Sequence, residues 1–182
     1  MNAMIPPSPW LLAHVAQLPL RGCILDLACG RGRHLRWLAG HAAAAVASGE
    51  LQLLAVDRDT SALQSLAGVP GVTTRCCDLE GEVWPLSGQQ FAAVIVTNYL
   101  WRPRFDDLLA LLAPGGVLVY ETFMLGHAAY GKPSRPDFLL EPGELRARCA
   151  AAGLQELAFS EGYVEQPRPA LRQGIVARRV PG

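Results

Sequence analysis

Short apolar and β-branched runs recur along the chain, separated by polar, helix-patterned stretches. The runs at 23–28, 51–56, 72–77, 91–97 and 117–122 are too short for helices and suit buried strands. Between them, 33–47 is rich in Ala and Leu, with Leu35, Leu38 and Ala42 at helical spacing, and 105–112 reads the same way. Thr60 or Ser61 can cap a helix running to Ala67. Pro114-Gly115-Gly116 predicts a helix stop and a chain reversal. A short helix is expected over 11–18, and a later one from Glu141 to about Ala152, closed by Gly153. Two final strands, 154–159 and 170–177, are joined by too few residues for a crossover helix, so they should pair antiparallel.

This alternation predicts an α/β fold: a doubly wound, mostly parallel seven-stranded sheet with a C-terminal antiparallel hairpin. One domain over 1–182 is expected, with 1–19 as an N-terminal lead and helix. Residues 123–140, rich in Gly, Pro and polar side chains, are long enough to act as a lid.

Composition narrows the classes. Hydrophobic residues make up 51%, as in a globular chain, and the 16 basic and 16 acidic residues balance. That balance removes the basic excess expected of a nucleic-acid binder. No apolar run approaches the roughly 20 residues that span a bilayer. The first ten residues lack a basic region and contain Pro6, Pro7 and Pro9, unlike a secretory signal. Five cysteines, with no C-x-x-C pair, read as buried thiols in a reducing cytoplasm rather than a disulfide framework or a metal site. Cys76 and Cys77 read as structural strand residues.

In open α/β sheets, ligands bind just beyond the carboxyl ends of the strands. The first strand runs into Asp26-Leu-Ala-Cys-Gly-Arg-Gly-Arg-His34, where Gly30 and Gly32 permit a tight bend and a close ligand approach. A carboxylate there suits a cationic group rather than a pyrophosphate. The second strand ends at Asp57, which can accept from both hydroxyls of a ribose, and the third at Asp78, which can accept from an adenine amine. Leu79 or Cys77 can pack on the base. Three acidic residues at three successive strand ends are a stronger signal than a lone Gly-rich turn.

On these residues, together with 91–98 and Leu112-Ala-Pro-Gly-Gly116, the chain resembles the class I S-adenosylmethionine-dependent methyltransferases over about 20–178. The form of the loop after Asp26 looks closest to the small bacterial branch that includes the tellurite-resistance and thiopurine methyltransferases. The resemblance implies S-adenosylmethionine as cofactor, with Asp26, Ala28, Cys29, Gly30 and Gly32 around its methionine part. Asp57 would hold the ribose hydroxyls, Asp78 and Leu79 would bind the adenine, Thr97 and Asn98 would lie where cofactor and acceptor meet, and Arg58 would be a further cofactor contact. Ala28 departs from the family, many of whose members have glycine there.

The second substrate is less specified. Tyr99, Trp101 and Phe123 can shape an apolar transfer pocket, and Arg102 and Arg135 can hold an anion. Each has a plain alternative as packing or as a surface charge. Tyr99, His127 and Glu121 are the candidate proton acceptors; no single base stands out, which favours a soft or already ionised acceptor. A small-molecule acceptor fits the compact, neutral chain. Two rivals remain at this stage. A nicotinamide-dinucleotide oxidoreductase is disfavoured by Leu35 where a third fingerprint glycine belongs. A non-catalytic cofactor-binding module is the other.

Overall fold

The structure is a computed structural model in which residues 5–181 are described. The expectation about a secretory signal therefore falls partly outside the described residues. The strands are β1 (Gly22–Leu27), β2 (Leu51–Asp57), β3 (Val72–Cys76), β4 (Phe91–Thr97), β5 (Leu112–Phe123), β6 (Leu154–Val164) and β7 (Ala170–Arg179). They form one seven-stranded sheet in the order β3-β2-β1-β4-β5-β7-β6. The first five pair parallel, and β7 runs antiparallel to both β5 and β6. This is the expected doubly wound sheet with its closing hairpin.

Alternation along the strands builds two cores. Leu25, Leu27, Val94, Val96, Leu118 and Tyr120 face one side, with Phe105, Leu108 and Leu109 of α5 (Phe105–Ala110) and Leu145 of α6 (Glu144–Ala151). Ile24, Leu53, Ala55, Ala93, Ile95 and Val119 face the other, against Leu35 and Leu38 of α2 (Arg33–His41) and Leu63 of α4 (Thr60–Gln64). A fully buried Leu or Ile among them contributes about 1.5–3 kcal/mol relative to exposure. Leu11 of α1 (Pro9–Ala13) joins the second core, and Trp10 lies so close to β7 that a Cβ on Gly174 would sit 2.8 Å from its ring.

Several local expectations are corrected. The first helix stops at Ala13 and gives way to a 3-10 turn over Val15–Gln17. The run 33–47 is two helices, α2 and α3 (Ala43–Ala47), broken at Ala42. Ala42 is buried in the same core cluster as Leu38 and Leu51, a burial that helix propensity does not encode. Asp59, not Thr60 or Ser61, caps α4, through Oδ1 to the Ala62 N–H at 3.0 Å. The helix expected over 105–112 ends at Ala110, and α6 begins at Glu144 rather than Glu141. Pro114-Gly115-Gly116 does not separate helix from strand: β5 already pairs Leu112 with Phe91, then bulges and resumes at Val117 with Ala93. Gly116 is required in that bulge, since a Cβ would lie 2.7 Å from the Ala113 carbonyl oxygen and 2.9 Å from that of Phe91. The β3–β4 connection, 77–90, contains no helix; it is anchored by buried Leu79 and Leu86.

The segment 123–140 is tied at its base. Met124 and Leu140 form a bridge, the Leu125 N–H donates to the Leu140 carbonyl, and His127, Leu139 and Leu140 are buried. Its middle residues are exposed, the form of a compact surface loop whose ends lie close together.

Candidate functional site

The strand order reverses between β1 and β4, which opens a crevice at their carboxyl ends. Two residues there adopt the left-handed region that side chains disfavour: Ala28 after β1, φ 53°, and Asn98 after β4, φ 57°. Such conformations at a crevice are held in place by the surrounding structure and cluster at functional sites. Gly30 and Gly32 are left-handed as well, at φ 54° and 66°. A Cβ on Gly32 would lie 2.5 Å from the Leu66 methyls, whereas one on Gly30 would meet nothing within 4 Å. Gly32 is thus packed from below, while Gly30 presents bare backbone to open space.

Asp57, at the end of β2, fastens this turn. Its Oδ2 accepts from the Gly30 N–H at 2.7 Å and its Oδ1 from the Asp59 N–H at 2.9 Å. Each oxygen keeps a further lone pair. Asp78 is fixed similarly, Oδ1 accepting from the Glu80 N–H at 2.9 Å. Ala28, Asp57, Arg58, Cys77, Asp78, Leu79, Glu80 and Tyr99 line one cleft. The Tyr99 hydroxyl is buried without a partner, and burial, then Glu80 and Asp78, pushes its pKa above the usual phenol value. It is a proton donor at neutral pH, not a base.

Beside the cleft, at the ends of β4, β5 and β7, lies a second polar group. Glu121 is buried and accepts from the Ser8 hydroxyl at 2.5 Å; its Oε2 is 3.7 Å from Arg172 Nη1. The same Nη1 donates to Asn98 Oδ1 at 2.8 Å, and the guanidinium lies over the Phe123 ring at 4.1 Å. Arg33 reaches over from α2 and donates to the Pro6 carbonyl at 3.2 Å.

A family model described as a methyltransferase domain matches residues 24–116, just over half of the chain, from within β1 through β4. The chain belongs to this methyltransferase-domain family. Solved structures agree in fold. A methyltransferase from Methanosarcina mazei described as S-adenosylmethionine-dependent is 15% identical, with a TM-score of 0.67 over 98% of this chain and 100% of the other. A geranyl diphosphate C-methyltransferase from Streptomyces coelicolor, solved with Mg2+, geranyl diphosphate and S-adenosylhomocysteine, is 16% identical, with a TM-score of 0.66 over 94% and 78%. A glycopeptide N-methyltransferase complexed with S-adenosylhomocysteine is 16% identical, with a TM-score of 0.61 over 93% and 88%. Comparison with curated proteins gives no match.

Of the residues that the sequence names as cofactor contacts, Ala28, Asp57, Arg58, Asp78 and Leu79 line one cleft of this methyltransferase. Gly30 adjoins them through Asp57, and across the crevice lie Thr97, the last residue of β4, and Asn98 just after it. Asp26 and Cys29 do not line the cleft. Asp26 is buried, its Oδ2 3.2 Å from His34 Nδ1 and its Oδ1 without a partner; Cys29 is buried, and burial raises its thiol pKa.

The acceptor-side expectations change more. Tyr99 lines the cleft with Asp57 and Asp78. Arg102 is committed to Glu144, by bonds of 2.9 and 2.7 Å, and to the carbonyls of Asp137 and Leu139, so it braces the loop rather than binding an anion. Arg135 pairs with Asp137 on the open surface, where such a pair is weak. His127 is stacked on Phe123 at 4.2 Å; its Nδ1 accepts from the Leu171 N–H and its Nε2 lies 3.2 Å from the Lys132 carbonyl. With both nitrogens engaged it has no free lone pair with which to act as a base. Trp101 is half-buried beside the crevice. Of the candidate bases, only Glu121 keeps a carboxylate oxygen without a hydrogen bond, Oε2. Cys76 is exposed on the sheet edge, contrary to the expectation of a buried thiol, because β3 has a neighbour on one side only.

Arg172 and Ser8 were not singled out by sequence. Arg172 carried a signal, a charge inside the otherwise buried run of β7. Ser8 carried none. Among the described residues no cluster of His, Cys, Asp and Glu could hold a metal, and no helix is long and apolar enough to cross a membrane.

Proposed function

We propose that this methyltransferase binds S-adenosylmethionine in the Asp57–Asp78 cleft and transfers its methyl group directly to a small-molecule acceptor. The observation that supports this most is the convergence of Gly30, Asp57 and Asp78 on one rim of the sheet. The residues fit the cofactor. Asp57 has lone pairs left for two ribose hydroxyls, and Asp78 has an oxygen with no hydrogen bond among the described residues. Leu79 and Ala28 offer apolar surface to the base, and the bare backbone at Gly30 leaves room for the methionine part.

When bound, the cofactor supplies a sulfonium-activated methyl group. The chain's own residues do the remainder. Asp57 fixes the turn after β1 and with it the position of Gly30. Asn98, at the end of β4, marks where the acceptor meets the cofactor. The segment at Ser8 covers Glu121 and excludes water from that side. Alignment of two reactants in this way can be worth roughly 7–11 kcal/mol. Tyr99 holds its proton and His127 is engaged, which leaves Glu121 Oε2 as the one candidate proton acceptor without a hydrogen bond; a soft or already ionised acceptor would need no base, in keeping with the likeness of the loop to the tellurite-resistance and thiopurine branch. We place the protein in a reducing cytoplasm, where its free thiols are stable.

Incubation with methyl-labelled S-adenosylmethionine and fractionated extract tests this reading. Label should move into a low-molecular-weight product that separates from the cofactor itself. Label found only in protein or RNA would contradict the acceptor class.

A further inference from the structure

Charge divides the crevice into two ends. The cleft that suits the adenosine is lined by three carboxylates, Asp57, Asp78 and Glu80, and its one cation, Arg58, is exposed and 3.8 Å from Glu80. An anionic group is repelled there. S-adenosylmethionine carries a carboxylate at the end opposite its adenine. In the sheet order β3-β2-β1-β4-β5, adenine at Asp78 and ribose at Asp57 direct that end past Gly30 toward Asn98 and Glu121. The cations on that side differ in what already holds them. Arg172 is buried, paired with Glu121 at 3.7 Å and bonded to Asn98. Arg31 adjoins Gly30 but is exposed, where water screens a charge pair. Arg33 is half-buried, and its side chain makes one hydrogen bond among the described residues, 3.2 Å to the Pro6 carbonyl. Burial lowers its pKa, with Glu121 and Asp26 opposing. Both of those carboxylates are engaged elsewhere: Glu121 accepts from Ser8 and pairs with Arg172, and Asp26 faces His34.

We propose that Arg33 holds the carboxylate of the cofactor's methionine part. The inference rests on the reading of the Asp57–Asp78 cleft as the S-adenosylmethionine site and adds the residue that takes its anionic end. Arg33 opens α2 directly after the turn in which Gly30 presents bare backbone to open space, so its side chain starts beside the methionine part. The bond to Pro6, two residues before the Ser8 that reaches Glu121, carries the guanidinium toward the β5 side of that turn. Arginine has five N–H donors, and with one on Pro6 the others remain for an incoming carboxylate. Such bonds are charge-assisted, and a half-buried guanidinium is screened less than an exposed one. The Pro6 carbonyl also holds the guanidinium before the ligand arrives, which reduces the side-chain freedom lost on binding.

The test compares two ligands by calorimetry on the full chain: S-adenosylhomocysteine and its decarboxylated analogue, which keeps the adenosine, sulfur and ammonium and lacks only the carboxylate. Wild type should bind S-adenosylhomocysteine at least about tenfold more tightly than the analogue. Arg33→Met should weaken S-adenosylhomocysteine by about tenfold or more and leave the analogue within about twofold, so that the preference collapses in a variant whose analogue binding shows it is folded. Arg33→Lys should retain part of the preference, and Arg31→Met all of it. Equal binding of the two ligands by wild type, an undiminished preference in Arg33→Met, or a parallel loss of both ligands in that variant would overturn the proposal and leave the cofactor reading standing. A preference that collapses in Arg31→Met instead would assign the carboxylate to Arg31. Folded wild type that binds neither ligand would overturn the cofactor reading and this assignment with it.

Discussion

The backbone N–H of Gly30 donates to Oδ2 of Asp57 at 2.7 Å, so the end of β2 holds the turn that leaves β1. Because Asp57 also accepts from the Asp59 N–H, one carboxylate organises two strand ends before any ligand arrives. Asp57→Ala should therefore destabilise the ligand-free protein by about 2 kcal/mol, the loss of bonds to a charged acceptor. Hydrogen exchange at the Gly30 and Asp59 amides should accelerate. Unchanged protection at both amides would show that the turn does not depend on Asp57.

The left-handed Ala28 leads to a stabilising substitution. Alanine at φ 53° costs roughly 1–2 kcal/mol, and glycine's extra chain entropy takes back part of the relief. Ala28→Gly should raise stability by about 0.5–1 kcal/mol in urea unfolding. Gly32→Ala should do the opposite, because its Cβ would meet Leu66 at 2.5 Å.

Arg102 is expected to act on stability rather than on binding. Its bonds to Glu144 and to two loop carbonyls fasten α6 to the 123–140 segment. Burial works to raise the Glu144 pKa, but its bonds from Arg102, the Glu141 N–H and Arg148 overcome this and hold it below the usual value. The stability it contributes is full above the ordinary carboxylate value and is lost as pH falls from there through the lower, folded one. Arg102→Ala should cost about 2 kcal/mol near neutral pH and show a shallower loss of stability on acidification. S-adenosylhomocysteine affinity should be unaffected.

His127 carries the complementary pH dependence. Burial lowers its pKa, with Arg172 and Arg168 assisting and the Lys132 carbonyl opposing. The unfolded chain therefore takes up a proton first as pH falls below the ordinary histidine value. The contribution is full above that value and fades toward the lower, folded one. His127→Gln should lower stability at pH 7 and flatten its slope between pH 7 and 5, measured by urea unfolding at each pH. An unchanged slope would show that the bond from the Leu171 N–H does not depend on a neutral ring.

The sheet was legible because its signals are local. The apolar runs of β1, β2 and β4, and the acidic residues that end β2 and follow β3, mark strand ends in the sequence itself. The bulge at Gly116 and the bend at Ala42 were not legible, since the first is decided by a close approach to Phe91 and the second by burial in the core, neither of which is local in sequence. The same distinction divides the site. Asp57, Asp78 and Gly30 sit at strand ends and could be read directly. Arg102 and Arg172 could not be told apart by composition, because what separates them is whether Glu144 is within reach.

Calorimetric titration with S-adenosylhomocysteine tests the central claim most directly. Wild type should bind at a single site with micromolar affinity, and Asp57→Asn and Asp78→Asn should each weaken binding by roughly tenfold, the worth of a lost bond to a charged group. No binding by the folded wild type, or wild-type affinity in both variants, would contradict the assignment of this cleft.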